Sequence, residues 1–370
     1  MNILISPDSL KGSLTAQEAA LMIREALLAA SPGVNVKSLP LSDGGEGALD
    51  IWFSLGLGNK VEVPSKDPLS RDIIAEYFRF NDGSAWVELS QASGLVLLEK
   101  GDRNPLNTST YGTGLLISHA LKNGAKKITL GLGGSATNDG GAGLLTALGF
   151  DLLNSDGECV YPSGGNLDQI VKIVSPDIPD VKIDVACDVS NPLCGPQGAS
   201  AVYGPQKGAT PEMVYKLDAN LAHWAILLEQ SFGVVVSEIP GSGAAGGAGV
   251  ALLAAYGAEL KPGFDLIAEA VGLKEALDWA DLVITAEGML DDQSLSGKAT
   301  LSLCQKAKKF GCKTWVFAGT VEGQHEKFSA AGVDRAVQIR PQGMTVEESM
   351  KNAGDLLQSA VKTACKELWK

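Results

Sequence analysis

The residues ADLVITAEGMLDDQSLSGKA, 280–299, decide the fold. Asp281-Leu-Val-Ile-Thr285 opens the stretch as an apolar run without alternation. That pattern marks a strand covered on both faces, as in a parallel sheet. A loop is expected from Ala286 onward, dense in charge and small residues: Glu287, Gly288, Asp291, Asp292, Gln293, Ser294, Gly297 and Lys298. In open parallel sheets ligands sit beyond the carboxyl ends of the strands. Acids, an amide, a hydroxyl and a lysine therefore stand where such folds place chemistry. In isolation, an acidic surface loop before an ordinary helix is the better explanation of this stretch. The same order of strand, polar glycine loop and helix recurs along the chain, however.

At the N-terminus Ile3-Leu4-Ile5 reads as a strand, and the polar turn Ser6 to Ser13 follows with Asp8, Ser9, Lys11 and Gly12. Thr15 and Glu18 form a capping box for a helix to about Ala30, stopped by Ser31-Pro32-Gly33. A strand over 34–39 runs into Ser42-Asp43-Gly44-Gly45-Glu46-Gly47 and another helix. For Asp43 and Glu46, helix N-terminal charge (about 0.3–1 kcal/mol) and a ligand or metal role remain open alternatives. Residues 60–98 are β-rich, with Asn81-Asp82-Gly83 as a hairpin turn. NPLNTSTYGTG, 104–114, is either a phosphate- or hydroxyl-binding loop or a capped helix start. A strand over 127–132 leads into a loop with Gly133, Gly134, Ser135, Thr137, Asn138 and Asp139. A hairpin is expected about Ser155-Asp156-Gly157. The strand Ile183 to Cys187 ends at Asp188, and Lys207-Gly208 closes the loop beyond it. Pro240 to Gly249 is a further glycine loop. Helices over 264–277, 301–309 and from Val346 onward alternate with strands at 281–285, 314–318 and 335–339.

This rhythm predicts an α/β protein of two unlike α/β domains with mostly parallel sheets. The cleaner βα alternation at the two ends predicts a Rossmann-like domain from 1–62 plus 264–370. Residues 63–263 form a second α/β domain inserted into it, with the active site in the interdomain cleft.

The chain has 370 residues, 45% of them apolar, and 44 glycines gathered in discrete loops. Its net charge is −13 and its pI about 4.8. That balance argues against a nucleic-acid partner, which demands a basic face, but not against small anions held by a few local donors. No signal peptide and no apolar run of membrane-spanning length is recognised. The six cysteines show no metal-type spacing, so reduced thiols and a cytoplasmic location are expected.

Gly131 to Ala136 matches GxGxxA and Gly241 to Gly246 matches GxGxxG. Neither is followed by an acid placed to hold a ribose, so a nicotinamide-dependent dehydrogenase is the weaker reading. A P-loop and a GxSxG elbow are absent, and His119, His223 and His325 lie outside the glycine loops. The remaining inventory is glycine loops at helix starts, acids at strand ends, and Lys11 and Lys298 in such loops. Phosphoryl transfer requires that set: donors and cations for phosphates, carboxylates for Mg²⁺, and one acid for the attacking hydroxyl.

SPDSLKGSLTAQEAA, LSDGGEG, GLGGSATNDGGAGLL, ACDVSNPLCGPQGASAVYGPQKG, PGSGAAGGAG and TAEGMLDDQS with GKA span the chain in order. Together they resemble the bacterial glycerate kinase family of the glycerate kinase I type. GGSATNDGG and the segment from Cys187 to Gly208 carry most of that resemblance. It implies two unlike α/β domains and ATP-dependent phosphorylation of D-glycerate, with 2-phosphoglycerate as the product. ATP and Mg²⁺ are the cofactors implied; membrane partners are not, and homo-oligomer formation stays open. Within this resemblance Asp188, Lys11, Lys298 and Glu287 are the catalytic candidates. Asp8, Ser9, Gly12, Gly44, Gly45, Gly134, Ser135, Thr137, Asn138, Gln293 and Ser294 are candidates for substrate or phosphate binding. Asp43, Asp139 and Asp291 are the metal candidates, and Asp43 and Asp188 each serve as base or metal ligand. The sequence departs from the family at Ala286 and Met289, where the pattern is usually Gly-Glu-Gly followed by a basic residue. The other readings are a kinase of another small hydroxy acid or polyol, and a non-catalytic binding protein.

Overall fold

The computed structural model describes residues 1–10, 12–41, 48–291 and 299–368. Its strands, in chain order, begin with β1 (Asn2–Ile5), β2 (Asn35–Ser38), β3 (Gly58–Lys66), β4 (Asp72–Phe80), β5 (Ala85–Glu88) and β6 (Lys127–Gly131). They continue with β7 (Asp151–Leu153), β8 (Lys172–Val174), β9 (Lys182–Ala186), β10 (Glu259–Lys261), β11 (Leu282–Leu290), β12 (Lys313–Val321) and β13 (Arg335–Gln338). Contacts divide the chain into two compact units, Met1–Asp43 with Phe264–Lys370, and Gly44–Gly263. Residue 62, the boundary expected from sequence, lies within β3.

The first unit is built on a five-stranded sheet, order β13-β12-β11-β1-β2, with every pair parallel. The apolar runs behave as a doubly covered sheet requires. Trp315 and Phe317 of β12 pack in one cluster with Ile3, Ile5, Ile284, Ile23 and Val361. Val316 and Ala318, one residue out of phase, pack in a second cluster with Leu290, Leu301 and Phe328. Alternate side chains of one strand thus bury on opposite faces. The Ala16–Ala30 helix begins with the expected capping box of Thr15 and Glu18. The chain leaves β1 toward β2 on one side, and runs from β11 through β12 to β13 on the other. The strand order therefore reverses between β1 and β11, the place where doubly wound sheets bind ligands.

The second unit carries a six-stranded sheet, order β10-β9-β6-β5-β4-β3. β10, β9, β6 and β5 run parallel, and β4 and β3 add an antiparallel edge. β7 and β8 form a separate two-stranded ribbon. The core includes Leu130, Val185, Leu145, Trp224, Leu228 and Leu252. Mixed α/β structure with mostly parallel sheets is thus what the sequence predicted.

Three local expectations are corrected. The loop expected from Ala286 does not begin there: β11 continues to Leu290, paired with β12 through Glu287↔Ala318 and Met289↔Thr320. Parallel pairing with an equally long neighbour overrides the small residues that suggested a break. The helix expected over 264–277 is two helices, parted at Gly272 with φ +67°. The C-terminal helix is likewise two pieces, Val346–Lys351 and Ala353–Leu368. Among the described residues, no helix is long and apolar enough to cross a membrane.

Candidate active site

In the first unit the carboxyl ends of β1, β11, β12 and β13 open into a cavity of about 490 Å³. Asp8 and Ser9 reach it because β1 continues along β11: the Ser6 N–H donates to the Ile284 carbonyl and the Asp8 N–H to that of Ala286. The Asp8 carboxylate then accepts the Ser9 N–H at 2.6 Å. Glu287 is 5% exposed and lines the cavity with Met289, two residues on and on the same sheet face. The Ala286 side chain is fully buried in the core instead. Gly12, at φ +76°, lies against Met350, whose Cε would stand 2.8 Å from an added Cβ. Asp291 follows the end of β11 and is half-buried. Lys11, Asp43, Gly44, Gly45, Gln293, Ser294 and Lys298 lie outside the described residues.

In the second unit the loop after β6 and the segment after the neighbouring β9 leave the same sheet edge. The loop is tied to neighbouring segments by buried hydrogen bonds. Asp139, fully buried, accepts the Thr110 N–H and hydroxyl, both at 2.8 Å, and the N–H groups of Gly141 and Gly143 at 3.3 and 3.2 Å. Burial pushes its carboxyl above the usual range, and the Thr110 and glycine donors oppose that shift. A carboxylate with four donors is an anchor for two loops. The metal role expected for Asp139 therefore finds no support in its surroundings. The polar segment at 104–114 is the other half of this anchor: Thr108 donates to the Ala136 carbonyl at 3.0 Å.

Lys207 is the residue that sequence reasoning passed over. It is 1% exposed, and its Nζ donates to Ser135 Oγ and to the Thr137 carbonyl, both at 2.7 Å. Burial lowers its pKa to about 7, while the Asp139 charge acts the other way. Its only signal in the sequence is a lysine closing a glycine-rich segment that is otherwise poor in cations. Ser135, Thr137 and Asn138 are buried and Gly134 is exposed. Asn138 donates to Ser200 at 3.0 Å. Thr137 Oγ1 and Asn138 Oδ1 are buried without a hydrogen-bond partner. Asp188 is exposed beyond β9, and its Oδ1 accepts the Gly263 N–H at 2.8 Å.

The formal GxGxxG at Gly241–Gly246 lacks the strand that a dinucleotide turn needs. It runs into a 3₁₀ turn at Ala244–Gly247. There Gly246 sits at φ +70°, and an added Cβ would stand 2.1 Å from the Thr137 carbonyl. His119 contacts the Tyr77 hydroxyl at 3.3 Å and His223 the Ile170 carbonyl at 2.8 Å, both structural positions. Among the described residues, no group of three or more His, Cys, Asp or Glu is arranged to hold a metal ion.

A model of the glycerate kinase family matches residues 3–369, across both units. The chain belongs to the glycerate kinase family. It is 42% identical over 365 residues to a glycerate kinase of Halalkalibacterium halodurans, covering 97% of this chain and 96% of the relative. It is 39% identical over 360 residues to the glycerate 2-kinase of Escherichia coli K12, covering 96% and 94%. A crystal structure from Salmonella typhimurium LT2, described as a glycerate kinase 2, superposes with a TM-score of 0.88 at 39% identity. That match covers 100% of this chain and 98% of the other. Membership in the glycerate kinase family makes the chain an enzyme of the kinase class, as its loops predicted.

Proposed function

We propose that the chain transfers the terminal phosphoryl group of ATP to D-glycerate, giving 2-phosphoglycerate. Family membership supports the reaction class. The observation that carries the chemistry is Asp188: an exposed carboxylate at a strand's carboxyl end, oriented by the Gly263 N–H. Phosphoryl transfer is mostly positioning and electrostatics, so a site without histidine suffices. Asp188 takes the proton of the attacking hydroxyl. Lys11 and Lys298 neutralise the transferring oxygens, and Glu287 with Gln293 orients the substrates. Gly134, Ser135, Thr137 and Asn138 hold hydroxyl or phosphate oxygens; the two buried atoms without partners, Thr137 Oγ1 and Asn138 Oδ1, are groups a ligand would satisfy after a small shift.

The described residues do not build a Mg²⁺ site: Asp139 is occupied by four donors, and no cluster of three candidate ligands forms among them. Asp43 and Asp291 are the acids proposed for a metal that would neutralise phosphate charge. The two units are proposed as domains, the second inserted into the first.

The test is ADP release from Mg-ATP with D-glycerate, with the product resolved by coupling to enzymes specific for 2- or 3-phosphoglycerate. Turnover to 2-phosphoglycerate is expected. Formation of 3-phosphoglycerate would overturn the regiochemistry and keep the kinase. Turnover only with another hydroxy acid would replace the substrate.

A further inference from the structure

The geometry points to the cavity of the first unit as the seat of the purine nucleoside of the phosphoryl donor, with Met289 and Val346 forming its apolar wall. This rests on the kinase reading above and adds to it where the base and ribose go. Leu10, Met289, Ile339, Val346, Met350 and Ala353 give the cavity a largely apolar wall. Its volume of about 490 Å³ falls in the range that encloses a ligand of several rings. Glycerate, with three carbons, would leave most of that space unfilled.

Charge decides the same way. Three acids, Asp8, Glu287 and Glu322, face one base, Arg340, around the cavity. Such a lining opposes the entry of a carboxylate or a polyphosphate into the depth of the cavity. It favours neutral groups that donate hydrogen bonds, namely ribose hydroxyls and an exocyclic amine. Acids near the carboxyl edge of the sheet hold ribose hydroxyls in other doubly wound folds, and Asp8, three residues beyond β1, and Glu287, in the last half of β11, line the cavity at that edge. Met289 and Met350 supply polarizable thioethers, which pack well on aromatic rings.

The test uses the full-length chain and two probes. Adenosine, which has no phosphate, is titrated by calorimetry and by ligand-observed NMR, and then added as an inhibitor against ATP and against glycerate. Val346→Trp places a large side chain on the rim; Val346 is 56% exposed, so the variant keeps its core. Unchanged circular dichroism and an unchanged unfolding midpoint would confirm that. Adenosine is expected to bind wild type and to compete with ATP. The substitution should raise KM for ATP about tenfold, equivalent to ~1.4 kcal/mol, and leave KM for glycerate within about twofold. Adenosine that neither binds nor competes would overturn the inference, as would a KM change confined to glycerate. If the wild type transfers no phosphoryl group to any hydroxy acid, the kinase reading fails on its own account. Adenosine binding weakened by Val346→Trp would still establish the nucleoside site, and binding unaffected by it would remove the site.

Discussion

The loop after β6 and the mouth of the β1–β11 cavity both lie at the carboxyl ends of parallel strands, yet they are built in opposite ways. The first is closed on itself. Asp139 draws donors from two segments, Lys207 pins Ser135 and the Thr137 carbonyl, and Trp224 donates to the Gly140 carbonyl at 2.9 Å. The second is open, with acids and thioethers around an apolar space. A dense motif therefore marks two different things. In the second unit most of its polar atoms hold the loop in shape, and in the first the polar atoms face a space that a ligand can fill. The difference predicts where substitutions reduce stability and where they reduce activity.

The largest effect belongs to Asp139. Asp139→Ala leaves buried N–H groups of Thr110, Gly141 and Gly143 without their acceptor and Lys207 without its nearest negative charge. Leaving buried donors unsatisfied costs roughly 1–3 kcal/mol each. Urea unfolding should show that loss with or without metal. Near-wild-type stability combined with loss of Mg²⁺-dependent turnover would restore the metal role and erase the contrast between the two regions.

Glu287 tests the open side. Glu287→Gln keeps the volume and removes the charge, so the unfolding midpoint should move little. If the carboxylate holds substrate, kcat/KM should fall by about 10- to 100-fold, as for a lost hydrogen bond to a charged group, roughly 1.5–3 kcal/mol. A variant that loses stability and keeps kcat/KM would make Glu287 a structural residue like Asp139.

How much of this was legible depends on how far apart in the chain the deciding partners lie. The doubly covered sheet was readable because burial on both faces writes itself into one strand: β12 has no polar alternation to lose. The capping box of Thr15 and Glu18 needs only three residues. The role of Asp139 was not readable, because its main partner, Thr110, is 29 residues away and belongs to a segment that reads as a site in its own right. Lys207 was harder still. A lysine is nearly always solvated, and only the packing of its segment over Ser135, 72 residues upstream, makes it a buried cation. At β11 the local cues favoured a loop, and pairing with β12 supplied hydrogen bonds that outweighed them. Of the expected site residues, those at 11, 43–45, 293, 294 and 298 lie outside the described structure.

The smallest effect concerns Lys207 and pH. Burial holds its folded pKa near 7, whereas an unfolded lysine titrates near ~10.4. Between those values the unfolded chain keeps a proton that the folded chain has released. More protons on the unfolded state means that stability rises with pH across this window. The contribution is greatest above the unfolded value, declines as pH falls toward 7, and is flat below it. Over the single unit from pH 7.5 to 8.5 the expected gain is about 1 kcal/mol, because one proton per molecule corresponds to ~1.4 kcal/mol per pH unit at most. Lys207→Met should remove this slope while other titrations stay in place, so the difference between the two unfolding curves isolates it. A wild-type slope that persists in the variant would mean that Lys207 stays charged at neutral pH. Its ammonium would then act on the Asp139 charge beside its bonds to Ser135 and Thr137, and the closed side of the comparison would be electrostatic as well as hydrogen-bonded.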